Sequence, residues 1–411
     1  MAHNILIIGN GFDLYHKLPT RYDDFMFFCN EWESFYTEYE KNLGETGDQK
    51  PISVPLTEQG RLTREALIEF GRHPYLMNQT HIDILQTTIS FNSWIHYFNE
   101  LKRTGMKWID FEEEIQNALN DVEEYSMVSI PHNVGKLGKE GLPDRLKRIP
   151  DIFGSAADNG YVNLGDVVVF GEFADKGELQ KNKRLLIDFM DDEMEKLISC
   201  LQYYFDDFVS NIKCDCYSEQ IKAIGKVDVL NFNYTTTYQT IYGGRSLNKH
   251  HAVHGGIKNG DIVLGIADDV FPDSYDYIRF QKYFQRIQKR TGNYYRDWLK
   301  KEADQEGFFR NKEVWIFGHS LGLADFGVLR VFFENECFAR VTIFFHSQRS
   351  YESIVINLVK ALGKDEVIER IATGKIVFQK LKDPILLKTS STLGSATKNM
   401  NEILRNETVC L

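Results

Sequence analysis

The 411-residue chain has no apolar run that approaches the roughly 18 residues of a membrane-spanning helix. Its N-terminal apolar segment, 5–8, is short, and the acidic Asp13 follows closely, so we do not expect a secretory signal peptide. Basic residues are outnumbered, with 48 Lys and Arg against 59 Asp and Glu. The net charge of −11 disfavours non-specific binding to nucleic acid. We therefore expect a cytoplasmic protein that acts neither in a membrane nor on nucleic acid.

Cysteine is also scarce, because the chain has only six and none of them form the paired C-x-x-C spacing of a zinc site. Cys214 and Cys216 lie close together, and reduced structural thiols are the simplest interpretation of this pair. His250, His251 and His254 are clustered, but no Cys or carboxylate nearby in the sequence completes a set of metal ligands. The sequence thus predicts no metal site.

Short apolar runs that mostly end in Gly, Asn or His indicate a parallel β-sheet. Buried parallel strands have such continuous apolar patterns. Open α/β sheets bind ligands at the carboxyl ends of their strands, where the polar residues of these runs would lie. The runs are 5–8, 227–232, 261–266, 314–317, 341–345 and 375–379.

Helical patterns fill most of the sequence between the first two predicted strands. Residues 80–103 and 185–212 carry apolar side chains at helical spacing, and so does a stripe that runs from Trp108 to Val122. Lys and Arg cluster at 279–301, which we interpret as a solvated helix face. The predicted fold is α/β, with a Rossmann-type parallel sheet and a large helical insertion. The predicted segments are a core at 1–30 and 215–385, a mainly helical insertion at 31–214, a second helical insertion at 273–311 and a polar tail at 386–411.

The segment "IGNGFDLYHKLPTRYDDF" at 8–25 follows the first predicted strand. Gly9 and Gly11 would let the backbone approach a ligand closely, and a strand-to-helix turn presents N–H groups to phosphate. The third glycine of the G-x-G-x-x-G dinucleotide fingerprint is missing. A nucleotide-binding loop and a tight turn without a ligand both remain open.

Two further polar segments follow predicted strands or adjoin them. In "NFNYTTTY", Asn231 and Asn233 could hold ribose hydroxyls or a water, or they could cap a helix. In "HHAVHGG", His254 precedes two glycines and could act as a general base, since an unperturbed histidine has a pKa near 6.5. The alternative for His254 is a structural histidine.

The segment "VWIFGHSLG" contains the G-x-S-x-G pattern of a serine-hydrolase nucleophile elbow, centred on Ser320. Such enzymes need an acidic residue and then a histidine later in the chain, and the candidates are Asp325 and His346. Both follow Ser320 within about one strand–helix unit, whereas a triad is normally drawn from loops spread across the sheet. A Ser320-dependent hydrolase therefore remains an alternative with weak support.

Taken in order, these segments resemble two protein families. The sirtuin series has GAGxS with GIPxFR, then TQNID, HG and GTSL. The closer resemblance is to the AbiH family of phage abortive-infection proteins, whose opening "IGNGFDLxHxLPTxYxDF" is matched almost residue for residue. The chain also has its "WxDFE" segment, here Trp108, Asp110, Phe111 and Glu112, followed by "NFNYT", "HG" and "GHSLG". The resemblance covers nearly the whole chain.

The resemblance implies a sirtuin-like NAD-binding fold and a role in antiphage defence. It implies that Asn233 and His254 are catalytic. The cofactor-binding residues it implies are Gly9, Asn10, Gly11, Phe12, Asp13, Asn231, Gly318, His319 and Ser320. Protein deacetylation is not expected, because the four-cysteine zinc module of sirtuins is missing.

The chain also departs from sirtuins in the loop itself. Asn10 stands in place of Ala, Asp13 in place of Ser, and Thr235 where sirtuins have Asp. A carboxylate at Asp13 suits ribose hydroxyls or a cation better than a phosphate, so the ligand is NAD or another nucleotide. Cleavage of NAD develops positive charge on the ribosyl group, which Asp13, Asp110 or Glu112 could stabilise.

The function predicted from the sequence is an abortive-infection effector that hydrolyses NAD or a related nucleotide. A phage-derived trigger or a second copy of the chain would be its partner. The first alternative is a non-catalytic nucleotide-binding sensor that acts with a partner. The second is the Ser320 hydrolase.

Overall fold

A computed structural model describes residues 4–44, 60, 61, 63, 64, 67, 78–106, 110–127, 143–154, 176–268, 270, 271, 274–300 and 312–387. Its strands are β1 (Asn4–Ile8), β2 (Cys216–Tyr217), β3 (Val227–Asn231), β4 (Leu247–Ala252), β5 (Lys312–Phe317), β6 (Phe338–Phe345), β7 (Ile376–Lys380) and β8 (Ile385–Leu386). Within the described residues, β2 and β8 form a short antiparallel pair, and the other strands form one six-stranded sheet.

The large sheet has the order β4-β3-β1-β5-β6-β7, and every neighbouring pair is parallel. Numbered only within this sheet, the order is 3-2-1-4-5-6, which is the doubly wound order of Rossmann folds. The order reverses between β1 and β5, where Ile8 pairs with Phe317 on one side and with Asn231 on the other. The prediction of an α/β fold with a Rossmann-type parallel sheet is confirmed.

One predicted strand was wrong, and one strand of the large sheet was missed, as was the short pair β2 and β8. Residues 261–266 join the sheet nowhere, although Ile262 and Leu264 are fully buried. They pack in the helical core, and Leu264 exchanges two hydrogen bonds with the side chain of Gln285. The missed strand, β4, has the polar sequence LNKHHA and lies at the edge of the sheet, where one flank needs no partner strand.

The helices are α1 (Asn10–Tyr15), α2 (Tyr22–Gly44), α3 (Gln79–Ile89), α4 (Ser93–Arg103), α5 (Phe111–Met127), α6 (Asp144–Arg148), α7 (Lys176–Tyr203), α8 (Glu219–Ile224), α9 (Thr237–Ser246), α10 (Lys282–Gln288), α11 (Leu323–Glu334), α12 (Gln348–Leu362) and α13 (Lys364–Ala372). Short π-helices occur at Ile149–Gly154 and Tyr204–Phe208, and short 3₁₀-helices occur at Val209–Asn211, Ile278–Phe280 and Tyr294–Leu299. Among the described residues, no helix has the length and apolar content that crossing a bilayer requires.

The predicted helical segments are present with interruptions. The pattern at 80–103 is two helices, because Asn92 caps α4 by accepting a hydrogen bond from the Ile95 amide. The pattern at 185–212 is the end of α7 followed by the turns at Tyr204–Phe208 and Val209–Asn211. Trp108 and most of the polar tail lie outside the described residues.

Helices α2, α3, α4, α5 and α7 share one hydrophobic core, which positions the beginning of α5 near the sheet. Phe111 stacks on Tyr22 of α2 at 4.3 Å and on Phe98 of α4 at 4.1 Å, measured between ring centroids. Asp110 accepts a hydrogen bond from the Glu112 amide and so caps α5. This packing fixes both carboxylates at one end of the helical core.

Candidate functional site

The loops that follow β1 and β5 touch each other through glycine. The Gly9 amide donates to the Phe317 carbonyl at 3.1 Å, and the Gly11 amide donates to the Gly318 carbonyl at 2.8 Å. A Cβ atom on Gly11 would lie 2.8 Å from the Cα of Gly318. Gly318 has a φ of 67°, and a Cβ there would lie 2.2 Å from the Phe12 nitrogen. The glycines that were predicted to let the backbone approach a ligand thus let two loops of the protein approach each other.

A cavity of about 350 Å³ opens beside these loops at the carboxyl edge of β1, β3 and β5. Most of the residues predicted for the site line it, and they come from four separate segments. The predicted residues in its wall are Gly9, Asn10, Gly11, Asp13, Asn233, His254, Gly318, His319 and Ser320. Its position is the switch point of the sheet, where doubly wound folds bind their ligands.

The structure places Phe12 and Asn231 outside this wall. The Phe12 ring is fully buried and packs in a core against His16 and Phe317, at centroid distances of 4.5 and 5.5 Å. Asn231 holds the turn after β3, since its Oδ1 accepts from the Asn233 amide and its Nδ2 donates to the Thr235 carbonyl. Asn231 therefore shapes the loop that presents Asn233.

Asp13 is a buried carboxyl group in the cavity wall, with 1% of its surface exposed. Its Oδ2 accepts a 2.6 Å hydrogen bond from the Thr235 hydroxyl. Burial raises the pKa of Asp13 to about 6, and the hydroxyls of Thr235 and Thr237 and the amide of Asn233 oppose only part of this increase. Asp13 can therefore change protonation state near neutral pH.

His254 and Asp325 form a hydrogen-bonded pair in the wall of the cavity. His254 Nε2 lies 2.8 Å from Asp325 Oδ1, while the buried Nδ1 of His254 has no hydrogen-bond partner in the described part of the chain. Burial lowers the pKa of His254 to about 4, although the Asp325 carboxylate opposes this effect. The neutral ring donates from Nε2 to the carboxylate, so Nδ1 carries the lone pair that a base needs.

His319 approaches Asp325 from the loop after β5. Its Nδ1 accepts a 3.0 Å hydrogen bond from the Leu321 amide, which leaves the proton on Nε2, 3.5 Å from Asp325 Oδ2. The Phe232 ring meets both imidazoles nearly edge to face, at 4.5 Å from His319 and 5.4 Å from His254. These contacts hold Asp325 between two histidines.

Lys282, which was not among the predicted site residues, lies at the centre of this charge cluster. Its Nζ lies 2.7 Å from Glu112 Oε1 and 2.8 Å from Asp325 Oδ1, and the residue is 1% exposed. The interpretation of 279–301 as a solvated helix face is wrong at this position. The only signal was the lysine itself at the start of an amphipathic segment, and helix faces cannot be paired across 170 residues by pattern alone.

The charged groups of this cluster change one another's pKa values. Although burial favours the neutral form, Lys282 and His254 hold the pKa of Asp325 well below its ordinary value. Burial raises the pKa of Glu112 to about 7 despite Lys282, and Asp325 adds to the increase. The carboxylate of Asp325 is thus ionised at neutral pH, whereas the carboxyl group of Glu112 titrates near neutral pH.

The predicted serine-hydrolase triad is not assembled. Asp325 is bonded to His254 and Lys282, and His346 lies exposed at the end of β6. In a nucleophile elbow the serine occupies the strained turn position, whereas the positive φ angles here belong to Gly318 and Leu321. Ser320 is exposed at the rim of the cavity, and its carbonyl accepts a hydrogen bond from Asn357.

A family model described as bacteriophage abortive infection AbiH matches residues 5–347. The chain belongs to the AbiH family. No curated protein and no solved structure matches it. The AbiH match includes every cavity residue named above and ends just beyond β6, before β7. Family membership supports the predicted role in phage abortive infection, whereas the sirtuin resemblance is not confirmed.

Proposed function

We propose that this AbiH protein acts in abortive infection by hydrolysing the N-glycosidic bond between nicotinamide and ribose in NAD or a closely related nucleotide. The observation that carries the proposal is the His254–Asp325 pair in the wall of an acidic cavity. A neutral histidine that is oriented by a carboxylate, with its second nitrogen unpaired among the described residues, is the arrangement of a general base.

The charges of the cavity favour the nicotinamide half of the substrate. Among the described residues, its carboxyl groups belong to Asp13, Asp110, Glu112 and Asp325, and its one arginine is Arg21. The nicotinamide ring of NAD is cationic, so carboxylates favour its entry. The pyrophosphate would be repelled from the carboxylates and would lie on the side of Arg21. The volume of about 350 Å³ lies at the lower end of the range for small-molecule sites, which begins near 300 Å³.

The same carboxylates would stabilise the transition state. When the bond between C1′ and the ring nitrogen breaks, its electron pair moves to the nitrogen and nicotinamide leaves as a neutral molecule. The ribosyl group then carries positive charge, which nearby carboxylates stabilise more strongly than they stabilise the ground state. Ionised Asp13 is the best placed for this role, because it is buried in the first turn of α1, directly after β1.

Water would complete the reaction with His254 as the base. The oxygen of the water forms the new bond to C1′, and His254 Nδ1 accepts a proton from the water. Asp325 then faces an imidazolium ion and stabilises it, as the carboxylate does in other His–Asp pairs. Asn233 lies in the same wall with a buried side chain, and its amide would anchor a ribose hydroxyl or the attacking water.

The test is nicotinamide release from NAD by the purified protein and NAD depletion in phage-infected cells. We expect both with the parent protein and neither with His254→Ala. His346→Ala is the matched control, because that histidine is exposed and does not line the cavity. If infected cells are protected from phage while NAD stays constant and bound NAD is recovered intact, the protein is a sensor. Labelling of Ser320 by a fluorophosphonate, with loss of activity, would establish the serine hydrolase instead.

A further inference from the structure

A buried ammonium group connects the helical core to the sheet. Lys282 begins α10, and its amide donates to the Ile266 carbonyl at 3.1 Å, while the Ile266 amide donates to the Phe280 carbonyl at 2.8 Å. Gln285, one turn later, bonds both the amide and the carbonyl of Leu264. The backbone that carries Lys282 is therefore fixed on both sides before its side chain reaches any charged group.

The two partners of Lys282 come from different parts of the chain. Glu112 lies in the first turn of α5, within the helical core, and Asp325 lies in the first turn of α11, directly after the β5 loop. Asp325 Oδ1 accepts from both Lys282 and His254 at 2.8 Å. The orientation of the Asp325 carboxylate, and through it the orientation of His254, depends on where the lysine stands.

We infer that Lys282 is a positioning residue of the AbiH site, which holds Glu112 and Asp325 together and thereby keeps His254 in the orientation of a base. The catalytic part of this inference rests on the proposed function. Its electrostatic part concerns the protein without any substrate. Without the ammonium group, two carboxylates that now share one cation would face each other uncompensated.

Removing Lys282 also has a defined effect on His254. The charged and titratable groups around this imidazole are His319 from the loop after β5, Asp325 from α11, Lys282 and Arg286 from α10, Glu112 from α5, and Asp110 directly before α5. The Lys282 cation opposes protonation of the ring, and the Asp325 anion favours it. Loss of the cation alone must therefore raise the pKa of His254.

The first test is NMR titration of the histidines in substrate-free protein, with His254→Gln used to assign the signal. We expect Lys282→Met to raise the pKa of His254 by roughly one unit or more. The double variant Lys282→Met/Glu112→Gln removes one of the two facing charges as well, so it keeps the test available if the single variant does not fold. The control is Lys289→Met, because Lys289 is partly buried and bonds the Ile262 carbonyl and Glu195 instead of the cavity carboxylates.

The second test is the pH dependence of nicotinamide release. For Lys282→Met we expect kcat to fall about 10²-fold with little change in KM, and the acidic limb of the profile to move to higher pH. Lys289→Met should retain the kcat and the pH profile of the parent protein. An unchanged His254 titration in both Lys282 variants would overturn the inference, and so would a normal kcat in a folded Lys282→Met protein. If the parent protein releases no nicotinamide, the proposed function fails, and the NMR titration still decides the role of Lys282.

Discussion

His254 Nε2 lies 2.8 Å from Asp325 Oδ1, although 71 residues separate the two in the chain. His254 follows the edge strand β4, and Asp325 lies in the first turn of α11, so the fold of the sheet brings them together. Asp325 also contacts Lys282 and His319. Asp325 is the acidic residue that the G-x-S-x-G pattern would assign to a triad with Ser320 and His346. In the structure it orients His254 instead.

This relationship predicts that Asp325→Asn strongly lowers nicotinamide release by the protein that is still folded. The amide can present its N–H group to His254, which would favour the tautomer with the proton on Nδ1 and remove the base. We expect kcat to fall by about 10² to 10⁴. Asp365→Asn, at a side chain that is 95% exposed, is the matched control. Parent-like turnover in a folded Asp325→Asn protein would contradict the assignment of His254 as the base.

Much of this site could be predicted from the sequence because its residues follow buried apolar strands. The runs that became β1, β3 and β5 are followed by Gly9, Asn233 and Gly318, and parallel strands bring such ends to one edge. Asn233 lies two residues beyond the end of β3, and His319 lies two residues beyond the end of β5. The pattern that identified the strands therefore identified these two residues as well. For these residues, local pattern and chain direction were sufficient.

Other parts could not be predicted, because tertiary packing decides them. The apolar run 261–266 is buried by helices, and the polar β4 is a strand only because β3 offers it an open edge. Lys282 is buried because α5 and α11 each supply a carboxylate to it, and no sequence pattern pairs those helices. Gly9 and Gly11 were recognised correctly as special, but their nearest neighbours are protein atoms of the Gly318 loop.

The contact between the two loops predicts that Gly11→Ala is destabilising. Its Cβ would lie 2.8 Å from the Gly318 Cα and 2.9 Å from the Gly318 oxygen, which are backbone atoms that cannot rotate away. We expect a loss of about 1–3 kcal/mol in the free energy of unfolding, measured by urea denaturation. Gly243→Ala is the control, because its Cβ would meet only the Gln239 side chain at 3.7 Å within α9. Equal stability of the two variants would show that the loops do not need to touch.

Asp13 predicts a pH-dependent gain in stability from Asp13→Asn. Burial raises the pKa of Asp13 from 3.8 to about 6, so the folded protein holds this proton more tightly than the unfolded chain does. The contribution of Asp13 to the free energy of unfolding therefore decreases as pH rises from about 4 to about 6, and it stays lower above that range. At pH 7.5 the variant should be more stable by up to about 3 kcal/mol, and the difference should vanish below pH 4.

Urea denaturation of both proteins between pH 4 and pH 8 measures this difference. Asp365→Asn, at an exposed site, is the control for the general effect of removing a carboxylate. We also expect Asp13→Asn to lose nicotinamide release, because the charge that is costly to bury is the one proposed to stabilise the ribosyl cation. A variant that gains stability and keeps full turnover would separate Asp13 from the chemistry.

The stacking of Phe111 predicts that packing in the helical core affects turnover. Phe111 lies between Asp110 and Glu112 in the chain and stacks on Tyr22 and Phe98, so it fixes the end of α5 that carries both carboxylates. Phe111→Leu should lower the free energy of unfolding by about 1–2 kcal/mol. It should also lower kcat/KM by about tenfold or more, since small displacements of charged groups at a site reduce rates strongly.

Phe28→Leu separates the two effects. Phe28 is fully buried in the same hydrophobic core, but its ring contacts Trp32, Tyr204 and Phe208 and none of the cavity carboxylates. We expect a similar loss of stability with unchanged kinetics at a temperature where both variants are folded. If both variants lose turnover equally, then the helical core supports the fold in general and α5 has no special part in holding Asp110 and Glu112. If only Phe111→Leu loses turnover, the helices between β1 and β3 supply part of the site itself.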